Sequence, residues 1–144
     1  GYMGSIKNTK IKKSGKILIL GFGGAAQAIF YGFSKKKYKN IIVFNRSRKA
    51  IKTSGATRFT KKYSLIDKHL KEADLIINTT PTNPLNRKQT KLIKTSTIIS
   101  DIVYKPKETA FLKNFKENKK IYGISMLIEQ AIPCFHYWFG LAQS

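Results

Sequence analysis

Short uninterrupted runs of aliphatic residues alternate with amphipathic stretches along most of this chain. The runs Lys16 to Leu20, Asn40 to Phe44, Ala56 to Phe59, Asp74 to Asn78 and Thr97 to Val103 read as strands, with a short sixth at Lys120 to Tyr122. Between them, Ala25 to Phe33, Leu65 to Glu72 and Glu108 to Glu117 show helical spacing. Strands of Ile, Leu and Val without polar alternation suit a parallel sheet covered on both faces. The pattern predicts an α/β protein, a Rossmann-like doubly wound parallel sheet in three layers with about six strands. Residues 1–13 are polar and basic and read as a tail or interdomain connection. Residues 14–122 read as the nucleotide-binding domain, and 123–144 as carboxyl-terminal helices.

The first strand runs into Gly21-Phe22-Gly23-Gly24-Ala25-Ala26, which fits G-x-G-x-x-A where a strand ends and a helix starts. Gly21 permits the tight turn, Gly23 lets the backbone approach a pyrophosphate, and Ala26 lets the helix sit close to the strand. The free amides at the helix start then face the phosphates. Glycines at such a turn can also be purely structural, but placement on the first strand of a βα series points to a pyrophosphate site.

The second strand ends in Asn45-Arg46-Ser47-Arg48-Lys49. Folds that prefer NAD carry an Asp or Glu about 20 residues past the glycines, whereas a basic residue there accommodates a 2′-phosphate. No acid stands at this place. Arg46 is positioned to stack on adenine and pair with the phosphate, Asn45 and Ser47 to bond its oxygens, and Arg48 or Lys49 to add charge. NADP is therefore expected over NAD, the alternative being one more exposed basic cluster.

Charge and composition change this picture little. The chain has 28 Lys and Arg against 7 Asp and Glu, a net charge of +21, which raises a polyanion partner such as nucleic acid. The Lys residues are scattered through every segment, without aromatic interleaving or a single arginine stripe, so nucleic acid is not the expected partner. A hydrophobic fraction of 42% argues for a folded globule. The single cysteine, Cys134, suggests a reducing cytoplasm. No apolar run reaches the roughly 18 residues of a membrane-spanning helix, and no metal constellation is present. His69, on a Lys-rich stretch, and His136, among aromatics, suit surface and packing roles better than general-base chemistry.

Three later motifs complete a family pattern. Asp74-Leu75-Ile76-Ile77-Asn78-Thr79-Thr80-Pro81, Asp101-Ile102-Val103-Tyr104-Lys105-Pro106 and Gly123-Ile124-Ser125-Met126-Leu127-Ile128-Glu129-Gln130-Ala131 follow the glycine loop in order. Together with that loop they resemble the shikimate dehydrogenase family over roughly Ser14 to Gly140. The resemblance implies reversible reduction of 3-dehydroshikimate to shikimate by hydride transfer from NADPH, in aromatic amino-acid (chorismate) biosynthesis. It implies that Gly21, Phe22, Gly23, Gly24, Ala25, Asn45, Arg46, Ser47, Arg48, Thr79, Thr80, Pro81, Ile102, Gly123 and Met126 hold the cofactor, and that Tyr104 and Gln130 contact substrate.

In the family, a Lys and an Asp that move the proton lie upstream of the glycine loop, in a separate substrate domain. Nothing in 1–13 matches their motifs, so no catalytic residue is expected in this chain, and substrate would be held largely by that other domain. The sequence departs from the family at Phe22 in the glycine loop, at Lys105, and at Thr82-Asn83-Pro84. These departures leave open a quinate-preferring relative. A nucleotide-binding module without chemistry is the other alternative.

Overall fold

The computed structural model describes residues 11–53, 57–102 and 109–122. Its main sheet has six strands, all parallel: β1 (Ile17–Leu20), β2 (Ile41–Asn45), β5 (Lys61–Lys62), β6 (Leu75–Asn78), β7 (Ile98–Asp101) and β8 (Lys120–Tyr122), in the order β5-β2-β1-β6-β7-β8. This is the α/β, Rossmann-like arrangement expected from the sequence. The order reverses at β1, and the crevice beyond the carboxyl ends of β1 and its neighbours is where such sheets bind ligands.

Alternate residues of the strands supply two cores. Ile17 and Ile19 of β1 join Ile29, Phe33, Val43 and Ile77 on one face, while Leu18 and Leu20 join Phe44, Ile66, Leu70 and Phe111 on the other. Every residue of β1 and β6 is buried, the reason these strands lack polar alternation. Helix α1 (Gly24–Lys35) buries Ala26, Ile29, Phe30 and Phe33, the i, i+3, i+4, i+7 stripe of an amphipathic helix. Ala26, fully buried in the core on this face, is small enough for the start of the helix to sit close to β1.

Three expectations are corrected. The run Ala56 to Phe59 was expected to form a strand of the parallel sheet. Among the described residues, β4 (Arg58–Phe59) instead pairs antiparallel with β3 (Ala50–Ile51), and Lys61–Lys62 supplies the sheet edge. Thr60 explains the switch. Its amide donates to Lys49 O at 2.8 Å, its hydroxyl donates to Ser47 O at 3.0 Å, and its Oγ1 accepts from Lys49 N at 2.8 Å. This clasp closes the 49–60 excursion and returns the chain to β2.

The stretch Glu108 to Glu117 was expected to be helical, but its described part forms only a 3-10 turn, Leu112–Asn114. Asn114 N reaches back only three residues, to Phe111 O at 3.3 Å, while its Nδ2 takes the Ala110 O that an α-helical Asn114 N–H would use, at 2.9 Å, and Phe115 leaves helical backbone geometry. Leu65 to Glu72 splits likewise into a 3-10 turn (Tyr63–Leu65) and a single α-turn, α2 (Asp67–Leu70). One helix escaped the periodicity altogether. The short α3 (Arg87–Lys91) is held by a capping box in which Asn86 Oδ1 accepts from Gln89 N at 2.8 Å and Asn86 N donates to Gln89 Oε1 at 2.9 Å.

Candidate functional site

The carboxyl ends of β1, β2 and β6 converge on an open cleft of about 640 Å³, within the usual range for ligand sites. Gly21, Phe22, Gly23, Asn45, Arg46, Thr79, Thr80 and Pro81 line it, together with Tyr63, Thr82 and Pro84. Thus eight of the fifteen expected cofactor residues are brought together by strands that are distant in sequence.

Gly21 and Gly23 play different parts. Gly21 has φ +103°, and a Cβ there would lie 2.5 Å from Thr79 Oγ1 and 2.9 Å from Thr80 Cγ2. Its amide donates to Phe44 O at 2.8 Å, while Thr79 N and Thr79 Oγ1 both donate to Leu20 O. The turn is therefore locked between β2 and the loop after β6, and only glycine fits. Gly23 is extended, with φ −103° and ψ −166°, and a Cβ on Gly23 or Gly24 would meet nothing within 4 Å. Neither backbone strain nor crowding by the described residues requires glycine at these two positions. The start of α1 also has no side-chain cap and no acid in its first turn, so its orphan amides and the positive end of its dipole remain available to an anion.

Asn78 shapes the opposite wall. Fully buried at the end of β6, its Oδ1 accepts from Thr80 N at 3.0 Å and Thr80 Oγ1 at 2.7 Å, and its Nδ2 donates to Thr82 O at 2.8 Å. The Thr79 to Thr82 loop is thereby folded around one amide. Sequence reasoning quoted Asn78 within a motif but gave it no role; its type, a polar residue closing an otherwise aliphatic strand, was the available signal.

The basic cluster after β2 divides. Arg46 lines the cleft, and Asn45 Nδ2 donates to Ser47 O at 3.2 Å, tightening the turn. Arg48 lies elsewhere, with its guanidinium 3.7 Å from the Phe59 ring centroid in a second pocket lined by β3, β4 and β5. Ser47 contributes its carbonyl to the Thr60 clasp. Gly24 and Ala25 form the first turn of α1, and Ile102 is half-buried against the core on the α1 face of the sheet. Tyr104, Gly123, Met126 and Gln130 lie outside the described residues, as do Cys134 and His136.

His69 is not the surface group expected. It is half-buried with its ring 5.6 Å from that of Phe44, and its Nδ1 is buried without a hydrogen-bond partner among the described residues. It takes no part in the cleft. No group of three or more potential metal ligands occurs among the described residues, and none of their helices is long and apolar enough to cross a membrane.

A family model described as Shikimate / quinate 5-dehydrogenase matches residues 5–119. The chain is 39% identical over 140 residues to a protein of Bartonella quintana (strain Toulouse) named shikimate dehydrogenase (NADP(+)), covering 86% of this chain and 47% of that one. It is 33% identical to the protein of the same name from Nitrosopumilus maritimus (strain SCM1), covering 98% of this chain and 56% of the relative. Among solved structures, shikimate dehydrogenase 1 from Peptoclostridium difficile matches with a TM-score of 0.63 and 26% identity, over 96% of this chain and 54% of that one. The chain spans about half the length of the curated relatives it matches.

Proposed function

This chain belongs to the Shikimate / quinate 5-dehydrogenase family, and from that premise we propose that it is the NADP(H)-holding part of a shikimate dehydrogenase, which reversibly reduces 3-dehydroshikimate to shikimate. The observation that carries the cofactor assignment is the pair Gly23 and Gly24. Their missing side chains leave open space beside uncapped helix amides, a cradle suited to a pyrophosphate that approaches the backbone closely.

NADPH, when bound, supplies the hydride. The chain's own part is to bind and orient it. The first-turn amides of α1, from Gly24 and Ala25, hold the pyrophosphate. Arg46, with Asn45 and Ser47, holds the 2′-phosphate. Thr79, Thr80 and Pro81, fixed by Asn78, form the wall toward the nicotinamide end, to which Ile102, Gly123 and Met126 are also assigned. Tyr104 and Gln130 are assigned to the substrate. Residues 14–122 are assigned to the cofactor-binding unit, and 123–144, which lie outside the described residues, to the side of a substrate-binding unit. No acid–base role is assigned to a described residue.

Equilibrium titration of the chain with NADP and NAD tests this reading. NADP is expected to bind more tightly, and Arg46→Ala to abolish the preference. Preference for NAD, or an unchanged NADP affinity in the variant, would overturn the 2′-phosphate assignment.

A further inference from the structure

Tyr63 lines the same cleft, although no sequence motif singled it out. It opens the 3-10 turn that directly follows β5, so it stands at the carboxyl end of the strand paired with Phe44 and Asn45, beside Arg46. Its ring stacks on that of Phe44 with centroids 6.5 Å apart and planes 25° apart. Phe44 is fully buried, so the core fixes where the phenol ring sits.

The hydroxyl end is differently placed. It lies where the Gly21 backbone and the Arg46 charge act on it, and burial of the ring pushes its pKa above the ordinary tyrosine value against both of these. The group is therefore a neutral phenol at physiological pH, a donor as well as an acceptor. The Gly21 amide is already given to Phe44 O at 2.8 Å. None of the hydrogen bonds among the described residues takes the proton of the Tyr63 hydroxyl. A tyrosine serving only to fill the core beside Phe44 has no need of that oxygen, since phenylalanine would stack equally well.

We propose that Tyr63 is a specificity-determining residue of the adenosine end of the cleft, its hydroxyl donating to the same 2′-phosphate group that pairs with Arg46. This rests on the NADP reading and extends it to a residue in the turn that follows β5. A neutral hydroxyl suits a phosphate because it adds a donor without adding a charge that Arg46 would repel. NAD, with a ribose hydroxyl in place of the phosphate, offers a weaker acceptor.

The test compares the chain with its Tyr63→Phe variant, titrating each with NADP and NAD. Tyr63→Phe keeps the ring and its stack on Phe44. NADP affinity is expected to fall about tenfold, the scale of one hydrogen bond to a charged group, while NAD affinity changes by less than about twofold. The phosphorus-31 resonance of the bound 2′-phosphate should also shift between the two proteins. Unchanged NADP affinity, or an equal loss for both cofactors, would overturn the proposal and leave Tyr63 a packing residue. Failure of the NADP reading itself is seen separately, because it appears as a missing NADP preference in the unsubstituted chain.

Discussion

Asn78 and Asp101 stand opposite each other at the ends of β6 and β7, and Asn78 Nδ2 donates to Asp101 Oδ2 at 3.3 Å. Asp101 also accepts from Thr109 Oγ1 at 2.7 Å. One buried pair thus ties the loop that walls the cleft to the chain that follows β7. Asn78→Ala removes four hydrogen bonds and leaves buried polar groups unmatched, so it should destabilise the chain by about 3 kcal/mol. It should also weaken NADP binding, because the Thr79 to Thr82 loop loses its template. Urea denaturation and cofactor titration measure the two effects. A stability within about 1 kcal/mol of the parent would show that the amide is not the organising group.

Gly21 and Gly23 should separate stability from binding. Gly21→Ala places a Cβ against Thr79 and Thr80 at positive φ, and a loss of about 2 kcal/mol or more is expected on thermal or urea unfolding. Gly23→Ala meets open space, so its stability should stay within about 1 kcal/mol of the parent. Its cofactor affinity should nevertheless fall, since the added methyl occupies the cradle. If Gly23→Ala bound NADP normally, the pyrophosphate assignment at that position would be wrong.

Arg46 and Arg48 are two residues apart and face different pockets. Arg48→Ala should leave the ratio of NADP to NAD affinity unchanged, in contrast to Arg46→Ala. Loss of its contact with the Phe59 ring should cost about 0.5–1 kcal/mol, the scale of an exposed cation–π pair. A selective loss of NADP affinity in Arg48→Ala would mean that its side chain leaves Phe59 when the cofactor binds.

His69 predicts a pH dependence. Its pKa in the folded chain is held below the ordinary histidine value, first by burial and then by the charges of Lys16, Lys68 and Lys61, with Glu72 opposing. The unfolded chain therefore takes up this proton more readily than the folded one. The associated stability is complete above the ordinary value of about 6.5 and is lost as pH falls from there toward the lower folded value. His69→Leu should flatten the decline between about pH 7.5 and 5.5 in urea-denaturation profiles. Parallel profiles for the two proteins would exclude His69 as its source.

The aliphatic runs at Lys16 to Leu20, Asn40 to Phe44, Asp74 to Asn78 and Thr97 to Val103 were legible because a strand buried on both faces admits few other residues. The edge of the sheet was not. Lys61–Lys62 is exposed and carries no apolar signature, and it becomes a strand only because Thr60 closes the preceding excursion and Phe44 and Asn45 offer free backbone groups. The helix Arg87–Lys91 buries no residue, so it has no hydrophobic period to find. Its Asn86 and Gln89 spacing was the readable mark.

The sequence by itself determined the parallel sheet, the glycine loop at its first strand and the absence of an acid after its second. Each depends on residues adjacent in the chain and on backbone preferences that act locally. Only the tertiary structure decided which members of the basic cluster face the cleft, sending Arg46 toward Gly21 and Arg48 onto Phe59. It alone brought Tyr63 to that site and made Asn78 the frame of its wall. Those relations depend on strand register and on packing between segments far apart in sequence, where a change in the path of one loop redirects a side chain that no local pattern constrains.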